Sequence, residues 1–372
     1  MKVLFCGTVV PNEIEYQTNG ISAAGNRFQN NFIFQLQKAG HEVRQCSYIG
    51  VRISEGIVDQ LKEDQNQNSR RHYVIKNDRW LSSLWQYRKL VKSAMDDIDI
   101  VICYNVIYAW LLLPVWAKQK HKKSVVILAD YSESISYHSL ARKCYAWIQL
   151  RSMRLFDRVV GLSGNIEMML KKKQQFVLME GGIQPEFYDA FTYKAHEEGT
   201  PLTLMYSGLL GNVPGVELLL EVMKHVKRQD IRLVLTGKGP LENDVQQACT
   251  LDKRICYAGN MPYEDYVKQL QEADVLLNPR NKDLPENRNN FPSKIMDYLA
   301  AGKTIISTRF AGWEKFVDNI IFTDCTIQGL AEAIERIALE DDANRYVENR
   351  RVAARFLWPM QIVKIVADWP DR

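Results

Sequence analysis

One segment of the sequence combines several residues that could bind a phosphate and a ribose. Residues 290–303 (NFPSKIMDYLAAGK) place Pro292 and Ser293 directly before an apolar helical pattern, which predicts a helix capped by Ser293. The free N–H groups and positive dipole at such a helix start attract a pyrophosphate. Asp297 lies one turn into the helix, where its carboxylate could accept hydrogen bonds from a ribose diol. The alternative is a well-capped structural helix.

The elements that must position this segment alternate between strands and helices. Short apolar runs rich in Val, Ile and Leu recur between helical patterns, as in parallel sheets with crossover helices. The predicted strands of the first half are Val3–Phe5, Ile100–Cys103, Val125–Leu128 and Val159–Leu162. Those of the second half are Leu202–Tyr206, Arg232–Thr236, Ile255–Ala258, Val275–Asn278 and Thr304–Ser307. Residues 60–92 are more polar and are predicted as a long loop with one or two helices.

The length of 372 residues favours two domains. Glycines, a proline and a polar run interrupt the alternation between Leu178 and Pro201, which indicates the boundary. We therefore predict an α/β protein with two doubly wound, Rossmann-like domains, residues 1–185 and 186–357. A C-terminal helix at about 358–372 is expected to pack back on the first domain. Ligands of such folds bind beyond the carboxyl ends of the strands, so the site is expected in a cleft between the domains.

The composition argues against several other classes of protein. A hydrophobic fraction of 46% and a charged fraction of 25% are typical of a globular chain. No segment approaches the roughly 20 apolar residues that a membrane span requires. The seven cysteines are scattered without the close spacing of a zinc or redox site, which indicates buried thiols in a reducing compartment. The six histidines are equally dispersed, so no metal site is predicted.

Several segments resemble those of one enzyme family. The sequence PSKIMDYLAAGK followed by TIIST is similar to the donor-binding signature of family 4 glycosyltransferases, in the branch where Pro-Ser-Lys precedes the helix. LMYSGLLGNVPG at 204–215 resembles the first strand and phosphate loop of the donor domain, and LVLTGKGPL at 233–241 resembles its next strand and turn. YAGNM at 257–261 is similar to the turn under the nucleobase. In the first half, Gly25 with the helix that follows it resembles the acceptor-side opening, and GGI at 181–183 resembles the hinge.

This resemblance implies a fold and a reaction. The implied fold is GT-B, in which two Rossmann-like domains face a central cleft. The implied reaction moves a sugar from a nucleoside diphosphate sugar, of the UDP or GDP type, to a hydroxyl of a glycan or lipid-linked acceptor. Retention of the anomeric configuration without a metal is also implied, as is a role in surface polysaccharide or glycoconjugate biosynthesis. No cofactor is expected, because the nucleotide sugar is a co-substrate.

Two departures from the family pattern change the expected site. The two glutamates that often flank the sugar correspond to Asn289 and Asp297, of which only the second carries a charge. The usual Arg and Lys of the phosphate loop correspond to Leu209 and Pro214, so two positive charges are missing. Because a buried unpaired diphosphate is costly, other cations must take their place. The candidates are Arg280 and Lys294. The alternative for either is a solvated surface charge.

The predicted site residues form three groups. Donor binding is assigned to Gly211, Asn212, Gly237, Gly259, Met261, Asn289, Phe291, Pro292, Ser293 and Asp297. Catalysis is assigned to Asp130, Lys294 and Arg280. The acceptor side is assigned to Gly25, Asn26, Tyr104, Asn105 and Glu133. Asp130 follows a buried strand and would act on or orient the acceptor, and the alternative is a simple strand cap.

Basic residues cluster between residues 111 and 175, where twelve Lys and Arg accompany four Asp and Glu in a chain of net charge +4. Lys143, Arg151, Arg154 and Arg158 fall within one arc of an ideal helix, with Trp147 on the same side. Such a stripe suits an anionic membrane surface, and a solvated helix face is the alternative. We expect a cytoplasmic protein, peripheral on the inner membrane face if the stripe meets lipid. No pattern of a nucleic-acid-binding module accompanies the charge.

Two other functions remain open. A sugar-nucleotide epimerase of the same fold would need a set of carboxylate and histidine residues that the sequence does not show. A catalytically degenerate transferase that acts as a sugar-nucleotide sensor or scaffold is favoured by Asn289, Leu209 and Pro214. Release of nucleoside diphosphate in the presence of an acceptor separates an enzyme from a sensor, which binds without turnover.

Overall fold

The computed structural model describes the chain except for residues 16–20, 130–138, 163, 172–173, 180, 282, 285–286, 288–291, 311, 340–341 and 368–372, and the side chains of 15 and 23–24. The chain divides into two compact units. The first comprises Met1–Met179 and Trp358–Arg372, and the second comprises Glu180–Leu357. Within the described ranges, none of the helices is both long enough and apolar enough to span a membrane.

The first unit is built on one parallel sheet. Its strands are β1 (Lys2–Gly7), β2 (Glu42–Ile49), β3 (Arg71–Ile75), β4 (Ile100–Tyr104), β5 (Lys123–Leu128), β6 (Arg158–Gly161) and β7 (Gln175–Leu178). Its helices before the second unit are α1 (Asn12–Glu15), α2 (Ala23–Lys38), α3 (Glu55–Gln67), α4 (Trp80–Ala94), α5 (Leu113–Gln119) and α6 (Leu140–Met153). The strand order is β3-β2-β1-β4-β5-β6-β7.

Alternate residues of the central strands fill two separate hydrophobic cores, one on each face of this sheet. Leu4 of β1 enters the core that also contains Trp110 and the buried side of α4. Val3 and Phe5 enter the opposite core with Phe32 of α2. Burial on both faces explains why these strands read as continuous apolar runs.

The polar region at residues 60–92 contains a strand that the sequence did not predict. It holds the second half of α3, then β3, then most of α4. β3 is the edge strand beside β2, and all five of its residues are only partly buried. An edge strand with little buried surface needs no apolar run, so its pattern is weak.

The second unit is also built on one parallel sheet. Its strands are β8 (Leu202–Ser207), β9 (Ile231–Thr236), β10 (Ile255–Tyr257), β11 (Val275–Asn278), β12 (Thr304–Thr308) and β13 (Ile321–Thr323). Its helices are α7 (Pro185–Asp189), α8 (Val216–His225), α9 (Glu242–Leu251), α10 (Tyr263–Glu272), α11 (Lys294–Ala301), α12 (Ile327–Glu335) and α13 (Asp342–Ala353). The strand order is β10-β9-β8-β11-β12-β13.

The order of strands reverses once in each sheet, between β1 and β4 in the first unit and between β8 and β11 in the second. The loops that leave neighbouring strands diverge at such a switch point and open a crevice at the carboxyl edge of the sheet. Ligands are therefore expected at these two edges.

The last helix, α14 (Trp358–Val366), packs on the first unit. Trp358 lies edge-on to Phe28 and Phe32 of α2, with ring centroids 5.2 and 5.9 Å apart. Arg158 at the start of β6 is 3% exposed and donates a hydrogen bond to the carbonyl oxygen of Ile365 at 2.5 Å. The predicted placement of Arg158 on a surface stripe is therefore wrong, because α6 ends at Met153 and the helical arc does not extend to this residue.

Candidate functional site

Helix α11 begins beside Ser293, as the sequence predicts, but the serine side chain does not cap it. Ser293 has helical backbone angles (φ −52°, ψ −31°), and its side chain makes no capping hydrogen bond to the described residues. The backbone closes the turn instead, since Ile295 N–H donates to Pro292 O at 3.0 Å and Met296 N–H donates to Ser293 O at 3.1 Å. Pro292 is buried and Ser293 is exposed, so the serine hydroxyl faces solvent. Asn289 and Phe291 lie outside the described residues.

Lys294 extends from the start of α11 to the carboxyl end of β8. Its Nζ lies 3.8 Å from the centroid of the Tyr206 ring, a cation–π contact. A Cβ on Gly208 would lie 3.3 Å from the same Nζ. Burial lowers the pKa of Lys294 well below its ordinary value, Arg280 lowers it further, and Asp297 opposes the shift. An anion bound here would favour the charged form of the lysine.

Arg280 brings a second positive charge to the same edge. It lies two residues beyond the end of β11 and is partly buried. Its backbone carbonyl accepts a hydrogen bond from the hydroxyl of Thr308 at the end of β12. Its charge also opposes the burial that raises the pKa of Tyr206. The structure thus brings together the two cations that the sequence nominated, and both are partly buried.

Asp297 is held by a tyrosine that sequence reasoning did not find. Tyr266 of α10 donates its hydroxyl hydrogen to Asp297 Oδ2 at 2.9 Å. Burial raises the pKa of Tyr266 well above its ordinary value, with the Asp297 charge as the next cause, so the phenol remains a donor. The Oγ of Ser207, the last residue of β8, lies 3.5 Å from the Tyr266 hydroxyl and 3.2 Å from that of Tyr298. Ser207 is recognisable in the sequence as a polar residue that closes an apolar strand, but no local pattern marks Tyr266.

Two glycines of the donor-side loops permit the close approach of neighbouring backbones. Gly237 has φ 133°, and a Cβ at this position would lie 1.8 Å from the carbonyl oxygen of Gly208. Gly215 has φ 90°, and a Cβ there would lie 2.1 Å from the carbonyl oxygen of Pro279. Both conformations favour glycine, and any side chain would push the loops apart. The loops after β8, β9 and β11 are therefore fixed against each other.

The predicted phosphate-loop residues lie in the turn that begins α8. Gly211 O accepts a hydrogen bond from Val216 N–H at 3.1 Å, and Asn212 O accepts one from Gly215 N–H at 2.9 Å. The Asn212 side chain is exposed. Because Gly215 packs on Pro279, this turn lies beside the loop that carries Arg280. The helix start and one of the two cations therefore occupy the same switch point.

The predicted nucleobase turn, which contains Gly259, is hydrogen-bonded to the end of β9 and the loop after it. Gly259 O accepts hydrogen bonds from Gly237 N–H at 3.0 Å and from the Thr236 hydroxyl at 2.7 Å. The Tyr257 hydroxyl donates to Gly237 O at 2.9 Å. Met261 follows in the loop before α10 and is partly exposed. The structure thus links the turns that contain Gly237 and Gly259 by direct hydrogen bonds.

The acceptor-side residues that the structure describes lie at the carboxyl edge of the first sheet, and two of them make hydrogen bonds that hold the local backbone. Asn26 is fully buried, and its Oδ1 accepts a hydrogen bond from Val10 N–H at 2.9 Å. Asn105 has φ 56°, and its Oδ1 accepts from Ala129 N–H at 2.8 Å. A Cβ on Gly25 would lie 3.3 Å from the hydroxyl oxygen of Tyr104, a side chain that is 7% exposed.

Asp130 and Glu133, the predicted acidic pair, lie outside the described residues. A residue that the sequence reasoning missed, Gln29, joins α2 to the loop after β1. Its Oε1 accepts from Thr8 N–H at 3.1 Å, and its Nε2 donates to Gly25 O at 3.0 Å.

Among the described residues, no three His, Cys, Asp or Glu side chains are grouped so that they could hold a metal ion.

Part of the second unit is similar to a known family. Residues 201–340 match the family model described as Glycosyl transferases group 1. The matched residues lie within the second unit and include Lys294, Arg280 and Asp297. The amylovoran biosynthesis glycosyltransferase AmsK of Erwinia amylovora is 23% identical over 42% of this chain and 40% of its own length. WcaL of Escherichia coli strain K12, whose name refers to colanic acid biosynthesis, is 21% identical over 52% of this chain and 53% of its own. The matched region thus spans about half, or less, of these curated relatives.

Solved structures are similar over nearly the whole chain. HepE of Anabaena, solved in complex with UDP, has a TM-score of 0.72 at 14% identity and covers 98% of both chains. A glycosyltransferase from Rickettsia africae has a TM-score of 0.70 at 16% identity, over 98% of this chain and 96% of its own. At these identities the likeness shows the fold. With the two parallel sheets, it confirms the predicted GT-B class of two Rossmann-like domains.

Proposed function

We propose that this protein is a glycosyltransferase that moves a sugar from a nucleoside diphosphate sugar to a hydroxyl of a glycan or lipid-linked acceptor, in the biosynthesis of a polysaccharide or glycoconjugate. The observation that carries the proposal is the arrangement of Lys294, Arg280 and Asp297 at the ends of β8 and β11. A diphosphate needs cations, and a ribose diol needs a hydrogen-bond acceptor. The family match over residues 201–340 and the names of the relatives support this assignment.

The donor nucleotide is proposed to be UDP, with GDP as the alternative, because HepE was solved with UDP and also with UDP and glucose. In this assignment Lys294 and Arg280 neutralise the diphosphate. Backbone N–H groups of Gly211 and Asn212, before the start of α8, add hydrogen bonds to it. Asp297 accepts from the ribose diol. The remaining donor roles are proposed for Gly237, Gly259 and Met261 at the base, Asn289 and Phe291 at the sugar, and Pro292 and Ser293 at the phosphate.

We propose that the reaction retains the anomeric configuration and needs no metal. The bond between the anomeric carbon and the diphosphate oxygen breaks, and a bond from that carbon to the acceptor oxygen forms on the same face. The acceptor's proton passes to the leaving diphosphate, which thereby acts as the base. Lys294 and Arg280 would stabilise the charge that develops on the leaving oxygen. Asp130 and Glu133 are proposed to orient the acceptor hydroxyl.

A second candidate function is a sugar-nucleotide sensor or scaffold without turnover. The observation that favours it is the chemistry of the loop after β8, where Leu209 is 60% exposed and Pro214 offers no charge. Such a loop supplies fewer contacts to a transition state than a loop with two cations. Binding of the nucleotide would be similar in both functions, so only turnover separates them.

The proposed function is tested by binding and turnover in sequence. A ligand that binds only the folded state raises the melting temperature, so UDP, GDP, uridine and guanosine are compared by thermal shift. The preferred nucleoside diphosphate then names the sugar donors to incubate with glycan and lipid fractions. We expect release of the nucleoside diphosphate that depends on an acceptor and persists in excess EDTA. Loss of turnover in EDTA with recovery on adding a divalent ion would contradict the metal-free step, and binding without turnover would favour the sensor.

A further inference from the structure

Helix α6 of the first unit leaves large apolar side chains in solvent. Leu140 is 77% exposed, Trp147 is 55% exposed and Ile148 is 43% exposed. A crossover helix in an α/β domain ordinarily covers its sheet with its apolar side and turns polar groups outward. Here the apolar residues named above face away from the protein body. Exposed apolar groups clustered on one element indicate a surface that meets something other than water.

The inner side of α6 already anchors the helix. Ala146, Ser152 and Met153 are its buried residues, and Gln149 Nε2 donates to the carbonyl oxygen of Val106. The Ser152 hydroxyl donates to the carbonyl oxygen of Leu111 at 2.7 Å. The outer residues therefore contribute little to holding the helix on the sheet.

The outer side of α6 is also basic. Lys143 and Arg151 are both exposed and lie on the same side of the helix as Trp147, since successive residues turn by about 100°, and the helix contains no Asp or Glu. Neither cation forms an ion pair within the part of the chain that the structure describes. The Arg151 guanidinium lies over the Trp147 ring, 4.5 Å from its centroid. Indole and guanidinium groups of this kind are favoured at the boundary between lipid acyl chains and headgroups.

We propose that this face of α6, defined by Leu140, Lys143, Trp147 and Arg151, binds the interface of an anionic lipid bilayer. The cations complement anionic headgroups, and the indole and aliphatic side chains enter the boundary region below them. This proposal is independent of the proposed function. It replaces the longer basic stripe, because Arg154 donates to the carbonyl oxygen of Met169 and Arg158 is buried.

The topology places this face close to the acceptor-side residues of the first unit. A helix that connects two parallel strands runs antiparallel to them, so α6 begins at the carboxyl edge of the sheet. Tyr104 and Asn105 lie at the same edge, at the end of β4. The first turns of α6, with Leu140 and Lys143, would hold that edge at the membrane surface. A lipid-linked substrate would therefore be presented from the bilayer.

Charge argues against a second copy of the chain as the occupant of this face. A twofold interface pairs the same surface patch on both subunits. Lys143 and Arg151 of one copy would then face those of the other, and the helix has no carboxylate that could neutralise them. An anionic surface of lipid has no such penalty.

The test is sedimentation of the full chain with vesicles of phosphatidylglycerol and phosphatidylcholine in equal parts, and with vesicles of phosphatidylcholine alone. We expect binding to the anionic vesicles at low salt only, since screening over about 10 Å at 0.1 M salt weakens it. The Lys143→Glu, Arg151→Glu double variant should lose at least about tenfold in partition. Lys268→Glu with Arg336→Glu, two exposed cations of the second unit, is the matched charge control.

The apolar part of the face is tested with Trp147→Ala. It should also reduce the partition, whereas Phe34→Ala should not. Phe34 is a fair control because it is 50% exposed and has Lys38 over its ring, but it belongs to α2, on the opposite side of the sheet. Wild type that ignores anionic vesicles at low salt overturns the proposal, as does a double variant that binds like wild type. A dimer in sedimentation velocity that Trp147→Ala dissociates would also overturn it. UDP binding, measured in parallel, should be the same for all these variants.

Discussion

Tyr266 donates a hydrogen bond to Asp297 at 2.9 Å and so fixes the carboxylate that is proposed to bind the ribose. The two residues come from different helices, α10 and α11. Both helices contact Ser207 at the end of β8, α10 through Tyr266 and α11 through Tyr298. One carboxylate oxygen is used in this bond. The other is oriented by it, which lowers the cost of arranging the side chain when a ligand arrives.

The first prediction concerns this pair. Asp297→Asn should weaken nucleoside diphosphate binding by about 1.5 to 3 kcal/mol, because hydrogen bonds from a diol to a charged acceptor are lost. Tyr266→Phe should weaken it less, by about 0.5 to 1.5 kcal/mol, since it removes only the positioning bond. Calorimetric titration measures both, and the double variant should show a coupling energy different from zero. Additive effects would mean that Tyr266 does not act through Asp297. Tyr263→Phe, an exposed tyrosine of the same helix, is the control and should bind as wild type does.

A second prediction separates the diphosphate from the nucleoside. Arg280→Ala should reduce the affinity for UDP about tenfold or more, while the affinity for uridine changes little, because a lost cation matters only where the anion is. Arg336→Ala, an exposed arginine directly after α12, is the matched control. Equal losses for UDP and uridine would indicate a general distortion of the unit and remove Arg280 from the diphosphate site.

The pH dependence of binding should reveal Lys294. Burial lowers the pKa of Lys294 well below its ordinary value, so in the free protein the lysine loses its charge at a lower pH than an exposed lysine does. The affinity for UDP should therefore fall as pH rises toward the ordinary lysine range near about 10.4. In that range binding should be accompanied by proton uptake, because the diphosphate favours the charged lysine. Titrations in two buffers of different ionisation enthalpy measure this uptake.

Two variants check the assignment of this pH dependence. Lys294→Arg keeps its charge throughout, and Lys294→Met has none, so both should bind UDP without the pH-dependent loss. The methionine variant should also bind more weakly at neutral pH. Lys268→Met is the control on an exposed position of α10. A pH profile for either Lys294 variant that follows the wild type would assign the titration to another group.

The close contact of two loops gives a prediction for stability. Gly237→Ala would place a Cβ 1.8 Å from the carbonyl oxygen of Gly208 at a φ of 133°, so the free energy of unfolding should drop by about 3 kcal/mol or more. Gly199→Ala is the matched control, since Gly199 also has a positive φ of 83° but no atom within 4 Å. Urea unfolding of both variants isolates the cost of the close approach. Equal losses would show that only the backbone angle matters.

The sequence predicted the buried parts of the fold well, because their physical signals are local. Apolar runs such as Val125–Leu128 fill both faces of a sheet, and the structure has β5 there. The edge strand β3 was missed because its residues are only partly buried. Arg158 was misplaced because a helical arc was continued past Met153, where the chain leaves the helix and enters β6. Only tertiary contacts could have shown that this arginine binds the carbonyl oxygen of Ile365.

The sequence predicted the site residues that belong to a local motif. It did not predict those that come together only through contacts between distant segments. Lys294 and Asp297 were found from a helix start, and Arg280 from its place beyond a strand. Tyr266 was not found, because its bond to Asp297 joins residues 31 positions apart and leaves no local pattern. The predicted capping role of Ser293 was also wrong. The preference of serine for capping positions does not determine its backbone angles, which are helical in the turn after Pro292.

The central claim is that this chain transfers a sugar from a nucleoside diphosphate sugar at a site that contains Lys294, Arg280 and Asp297. The most direct measurement is the rate of nucleoside diphosphate release from UDP-sugars and GDP-sugars, with and without extracted glycan and lipid acceptors, for wild type and for Asp297→Asn. We predict release by wild type that requires both one class of donor and an acceptor, and a strong reduction in the variant under subsaturating donor. Tight nucleotide binding without acceptor-dependent release would contradict transfer, and equal rates for wild type and Asp297→Asn would place the reaction elsewhere.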